Sequence, residues 1–169
     1  MNELSALRTA VTVLQDVLEH WVALGQPRLE YFEGVTRLTS LQLQEKPLSP
    51  GPLEKVVHML CGQVQRLRAC AQAVQVLRDQ VAQSVLDGED TGGRALLPLV
   101  DNVLRHVGDV EQMLTRDLCL KQTIIADLPF CSHRDTLASY SQAMVQAPFL
   151  EQPRARDCLA RVKADVALL

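Results

Sequence analysis

Apolar residues recur in this chain at alternating steps of three and four, and no other feature restricts the fold as much. Leu4, Leu7, Val11, Leu14, Leu18 and Trp21 keep the rhythm over three repeats. Side chains at that period line one face of an α-helix and form the seam of a coiled coil or bundle. Leu53, Val57, Leu60, Val64, Leu67, Ala71 and Val74 repeat it, and Leu77, Val81 and Val85 continue it after a one-step shift. A third stripe runs through Val100, Val103, Val107, Val110, Leu114, Leu118, Ile125 and Leu128. No stretch alternates with the period of two that a strand needs. The expected fold is all-α: three long helices in an antiparallel bundle or coiled coil, followed by two short C-terminal helices.

Proline and glycine punctuate these stripes. Pro27 lacks a backbone donor and disfavours the helical region for Gln26, so the first helix is expected to kink near residues 25–27. A further stripe, Tyr31, Phe32, Val35, Leu38 and Leu41, follows. The segment KPLSPGP, residues 46–52, holds three prolines and a glycine in seven positions and reads as a linker. This divides a single domain into an N-terminal helical region (1–45), the linker (46–52), and a hairpin with short C-terminal helices (53–169). DGEDTGG, from Asp87, ends the second helix; it lacks the alternating ligands and terminal Glu of a calcium loop. Pro98 suits the first turn of the third helix, and Gly108, inside it, suggests close approach of a neighbour. Ser132, with Asp135 three residues on, is the expected N-cap of the fourth helix, and the fifth starts at Pro153 or Arg154.

Composition agrees with helix on helix. Hydrophobic residues make up 47% of the 169 positions and aromatics only 4%, so the apolar content is mostly Leu, Val and Ala. A net charge of -3 with mixed signs and no basic block argues against direct nucleic-acid binding. No apolar run reaches the roughly 18 residues of a membrane span, and MNELSALRTA lacks the basic and apolar regions of a signal peptide. A cytosolic or nuclear protein is expected. Its five cysteines are odd in number and form no CxxC pair, which suits reduced thiols.

Little points to catalysis. His20, His58, His106 and His133 fall on four different expected elements, and a metal site would need the fold to bring them to carboxylates or thiols. There is no phosphate-binding glycine loop, GxSxG elbow or HExxH motif. Cys131 and His133, two apart in a turn, could lower a thiol pKa, but no orienting partner accompanies them. No catalytic residue, cofactor or metal ligand is therefore expected. Lys121 lies near the seam of the third helix. A polar seam residue fixes register or partner choice; alternatively, its stem packs flat and its amine reaches water. Phe149 and Leu150 are an apolar pair fenced by Pro148 and Pro153, and must find a groove on this molecule or another.

Two segments carry a family resemblance. DLCLKQTIIADL, residues 117–128, and DTLASYSQAMVQAPFLE, residues 135–151, resemble the long helix and the Ser-Tyr helix with its Pro-aromatic-aliphatic-Glu end in cyclin-dependent kinase 2-interacting proteins. HWVAL, around Trp21, is similar to a Trp-centred helix near the start of that family. Met144-Val145 stands where the pattern has Trp-Leu, and Ala147 separates Gln146 from Pro148. The resemblance implies a nuclear, non-catalytic helical adaptor, also present in the cytoplasm. Its implied partners are helical proteins, among them a cyclin-dependent or replication kinase, checkpoint factors and an AAA+ ATPase complex of ribosome maturation and replication. Leu118, Lys121, Thr123, Ile124, Tyr140, Phe149 and Leu150 are then the candidate partner-binding residues, with the prolines pre-setting an extended docking backbone around the last two. The other reading, that the Phe149-Leu150 pair caps its own bundle, stays open. The same heptads also suit a structural coiled-coil subunit of a kinetochore or tethering complex.

Overall fold

The computed structural model describes residues 3–25, 50–88, 97–131 and 133–168. Five α-helices account for nearly all of them: α1 (Glu3–Gly25), α2 (Pro50–Gly88), α3 (Leu97–Asp127), α4 (Arg134–Gln146) and α5 (Gln152–Ala167), with one 3-10 turn, Leu128–Phe130, after α3. No strand occurs among the described residues. The first long helix, α1, packs on α2 and α5; α3 also packs on α2 and α5, so these four helices close a ring.

Paired residues give the directions. Arg78 of α2 meets Glu111 of α3, whereas Val64, earlier on α2, shares a cluster with Ile124, later on α3. These two helices are therefore antiparallel. Arg154, in the first turn of α5, meets Asp109 of α3, and Lys163, in its second half, meets Gln15 near the middle of α1, so α5 packs on both helices. The fourth side of the bundle is built in two pieces. Near the C-terminal end of α3, α4 supplies Leu137 and Met144, and α5 supplies Ala155, Cys158 and Val162 farther along.

The seams face inward. Leu7, Leu14, Leu18 and Trp21 of α1 are buried and Val11 is half-buried. Ala6, Ala10 and Val17 are buried too, because α1 has a neighbour on each side and needs a wider apolar face than a two-stranded coil. On α2 the row Val64, Leu67, Ala71, Val74, Leu77 and Val81 is buried. Each fully buried large side chain of these rows contributes about 1.5–3 kcal/mol of transfer free energy.

Four expectations change. The last three residues of the expected linker, Pro50 to Pro52, belong to α2, since proline is tolerated in a helix's first turn, where its missing donor has no partner to lose. His133 takes the N-cap position of α4 in extended conformation, without a side-chain cap; Ser132 lies outside the described residues. A Cβ at Gly108 would meet nothing within 4 Å, so no close helix approach explains that glycine. On α3 the buried row after Leu114 runs Asp117, Lys121, Ile124, Leu128, leaving Leu118 and Ile125 half-buried at its edge. The three-four step continues unbroken through two charged residues. The kink at Gln26 and Pro27, the stripe from Tyr31 to Leu41, and linker residues 46–49 lie outside the described residues, as does the side chain of Leu4.

Candidate functional site

The two segments that carry the family resemblance come together at the C-terminal half of α3 and along α4. Asp117 and Lys121 occupy consecutive inward positions of α3, four residues apart, and both side chains are 0% exposed. The Lys121 ammonium donates to Asp117 Oδ2 at 2.5 Å. Across the bundle, Trp21 of α1, also fully buried, donates its indole N–H to the same oxygen at 3.1 Å. Asp117 Oδ1 is buried without a hydrogen-bond partner. The lysine amine therefore does not reach water, and the stem does not lie flat on the surface. One charge pair and one indole tie α1 to α3 within the apolar core, where a paired, hydrogen-bonded charge is the only kind that burial tolerates.

Beyond this pair, α3 leads into the 3-10 turn and α4. Leu128 and Leu137 bury against Val57 and Leu60 of α2, and Ile124 and Met144 bury against Val64. Tyr140, half-buried, donates its hydroxyl to Asp127, and that hydrogen bond holds the phenol above its usual pKa. Thr123 is exposed, with its hydroxyl bonded to the Cys119 carbonyl one turn back. The Cys131 thiol approaches the backbone carbonyl of His133 at 3.8 Å, a contact with that residue's main chain.

At the end of α4 the chain turns sharply. Ala147 closes the helix in the left-handed region (φ 45), and Leu150 N–H returns to the Ala147 carbonyl at 2.9 Å. The residues from Pro148 form a turn and not the extended segment expected. This turn sends the two apolar residues in opposite directions. Leu150 is 5% exposed and joins the main core, while Phe149 is 44% exposed. Pro153 falls in the first turn of α5. At the other end of α4, Phe130 is 83% exposed. A cleft of about 510 Å³ opens between α1 and α5, with Leu18, Ala23, Leu150 and Leu159 among its walls and Glu19 and Lys163 on its rim.

The candidate set thus divides. Lys121, Ile124 and Leu150 are interior, Leu118 and Tyr140 are half-buried, and Thr123 and Phe149 face outward. Phe130 and Asp117 were not singled out by sequence. The three-four count from Leu114 points to Asp117, but a search for apolar letters passes over it. No known protein family, curated protein or solved structure matches this chain. No helix among the described residues is long and apolar enough to cross a membrane.

Proposed function

We propose that the chain is a non-catalytic helical adaptor subunit, nuclear in location, that links a cyclin-dependent or replication kinase to an AAA+ ATPase complex. The support is the resemblance of residues 117–128 and 135–151 to cyclin-dependent kinase 2-interacting proteins, together with one structural observation. Phe130 and Phe149 stand exposed at the two ends of α4, in and beside those segments, while the seams of α1, α2 and α3 are packed within the chain. A pair of displayed aromatics on a rigid helical frame suits an anchor that enters a partner's pocket, because few side chains then have to be ordered on binding.

The test is co-purification of the tagged chain with cyclin-dependent kinases and AAA+ subunits, compared with the Phe130→Ser, Phe149→Ser double variant. Recovery of those partners with the parent and its loss with the variant, at unchanged helix content and melting temperature, is the expected result. Absence of both partner classes from the parent chain would remove the proposal.

A further inference from the structure

Where α5 crosses α3, three side chains with metal-ligand chemistry converge from two helices. His106 and Asp109 are three residues apart on α3 and so share a face; Cys158 meets them from α5. One donor atom from each, an imidazole nitrogen, a carboxylate oxygen and Sγ, lies within 4.8 Å of the other two. Two of the three are deep in the bundle, His106 at 9% exposure and Cys158 at 3%, and Asp109 opens the cluster toward the surface. The second observation is at His106 itself. Its Nδ1 is buried and has no hydrogen-bond partner, although buried polar groups in folded chains are nearly always satisfied.

We propose that His106, Asp109 and Cys158 form a binding site for a zinc-type divalent cation that clamps α5 to α3. The donor set selects the ion. Nitrogen and sulfur donors suit a borderline d-block cation, and hard ions such as Ca²⁺ and Mg²⁺ take oxygen. Zinc bonds of about 2.0–2.3 Å place tetrahedral donors roughly 3.3–3.8 Å apart, so the side chains need to draw together by about an ångström. Arg154 engages Asp109 through Oδ1 at a long 3.4 Å, which leaves Oδ2 for the ion, and its own half-exposed side chain can turn to solvent. Three protein ligands leave one coordination position for water or a ligand from outside the chain. On binding, the Cys158 S–H bond gives way to an S–metal bond and the proton leaves to solvent. The sequence leaves His106 alone on its element; the pairing with Cys158 exists only because α5 folds back along α3. The site is independent of the adaptor reading.

The metal-free chain is dialysed against Zn²⁺ and metal content measured, and Co²⁺ is added separately to read the thiolate-to-cobalt absorption. The expected result is one bound equivalent, a thiolate-to-cobalt band, and a raised melting temperature with Zn²⁺. Asp109→Asn, a change at the half-exposed ligand that leaves the core untouched, is expected to weaken binding by at least about tenfold, the lower end of what losing even a ligand's supporting partner costs. Cys158→Ala is expected to abolish the cobalt band, with circular dichroism reporting whether the helices persist. Binding that is unchanged in Asp109→Asn and in a helical Cys158→Ala would overturn the assignment. So would loss of binding in Cys131→Ser alone, or no binding by the parent chain.

Discussion

Lys121 and Asp117 show how a seam can hold charge. An ion pair removed from water recovers its desolvation cost only with close geometry and added hydrogen bonds, and here the Trp21 indole supplies one of those bonds. Lys121→Met alone strands the Asp117 carboxylate in the core and is expected to lower stability by about 3–5 kcal/mol in urea unfolding. Asp117→Leu together with Lys121→Met removes both charges and is expected to return most of that loss, since apolar replacements of buried pairs are commonly neutral or stabilising by roughly 1–4 kcal/mol. The pair at the α4 end separates in a similar experiment. Leu150→Ser is expected to destabilise the free chain by about 1.5–3 kcal/mol through lost burial, whereas Phe149→Ser, at a half-open position, should move the melting temperature little. Sequence placed Lys121 near the seam, but the indole that shares its Asp117 partner, Trp21, lies 96 positions from that aspartate. Spacing within one helix carries no information about an indole arriving from another.

At the scale of the helix, period was legible and phase less so. The rows of α1 and α2 are apolar at nearly every inward step, so their faces follow from the letters alone. On α3, Leu118 and Ile125 sit one position past the inward row and attract the eye, while Asp117, Lys121 and Ile124 keep the step. The break between α4 and α5 was marked by its prolines, but its left-handed Ala147 was not, because alanine carries no preference for positive φ. Two interior glycines offer a direct test of the helices. A methyl at Gly62 or Gly108 meets nothing within 4 Å. Gly62→Ala and Gly108→Ala are each expected to raise stability by about 0.5–1 kcal/mol through reduced freedom of the unfolded chain. They lie on different helices and far apart along the bundle, so the two gains should add in thermal or urea unfolding.

For the whole molecule, ring closure depends on α5. The class of fold was readable from three stripes and the want of strands, yet the way the C-terminal helices complete the fourth side was not, since short helices leave too few periodic positions to state which neighbours they meet. Removing residues 152–169 would uncover the flanks of α1 and α3 that Ala155, Cys158 and Val162 now cover. The truncated chain is expected to keep helical circular dichroism but to lose cooperative melting and to associate, as sedimentation would show. One feature of the core also makes the molecule its own optical gauge. Trp21 is the sole tryptophan, fully enclosed and hydrogen-bonded to α3 across the bundle. Ultraviolet emission from the unlabelled protein therefore comes chiefly from a single point, the joint between the first helix and the third, and its colour records when that joint lets in water.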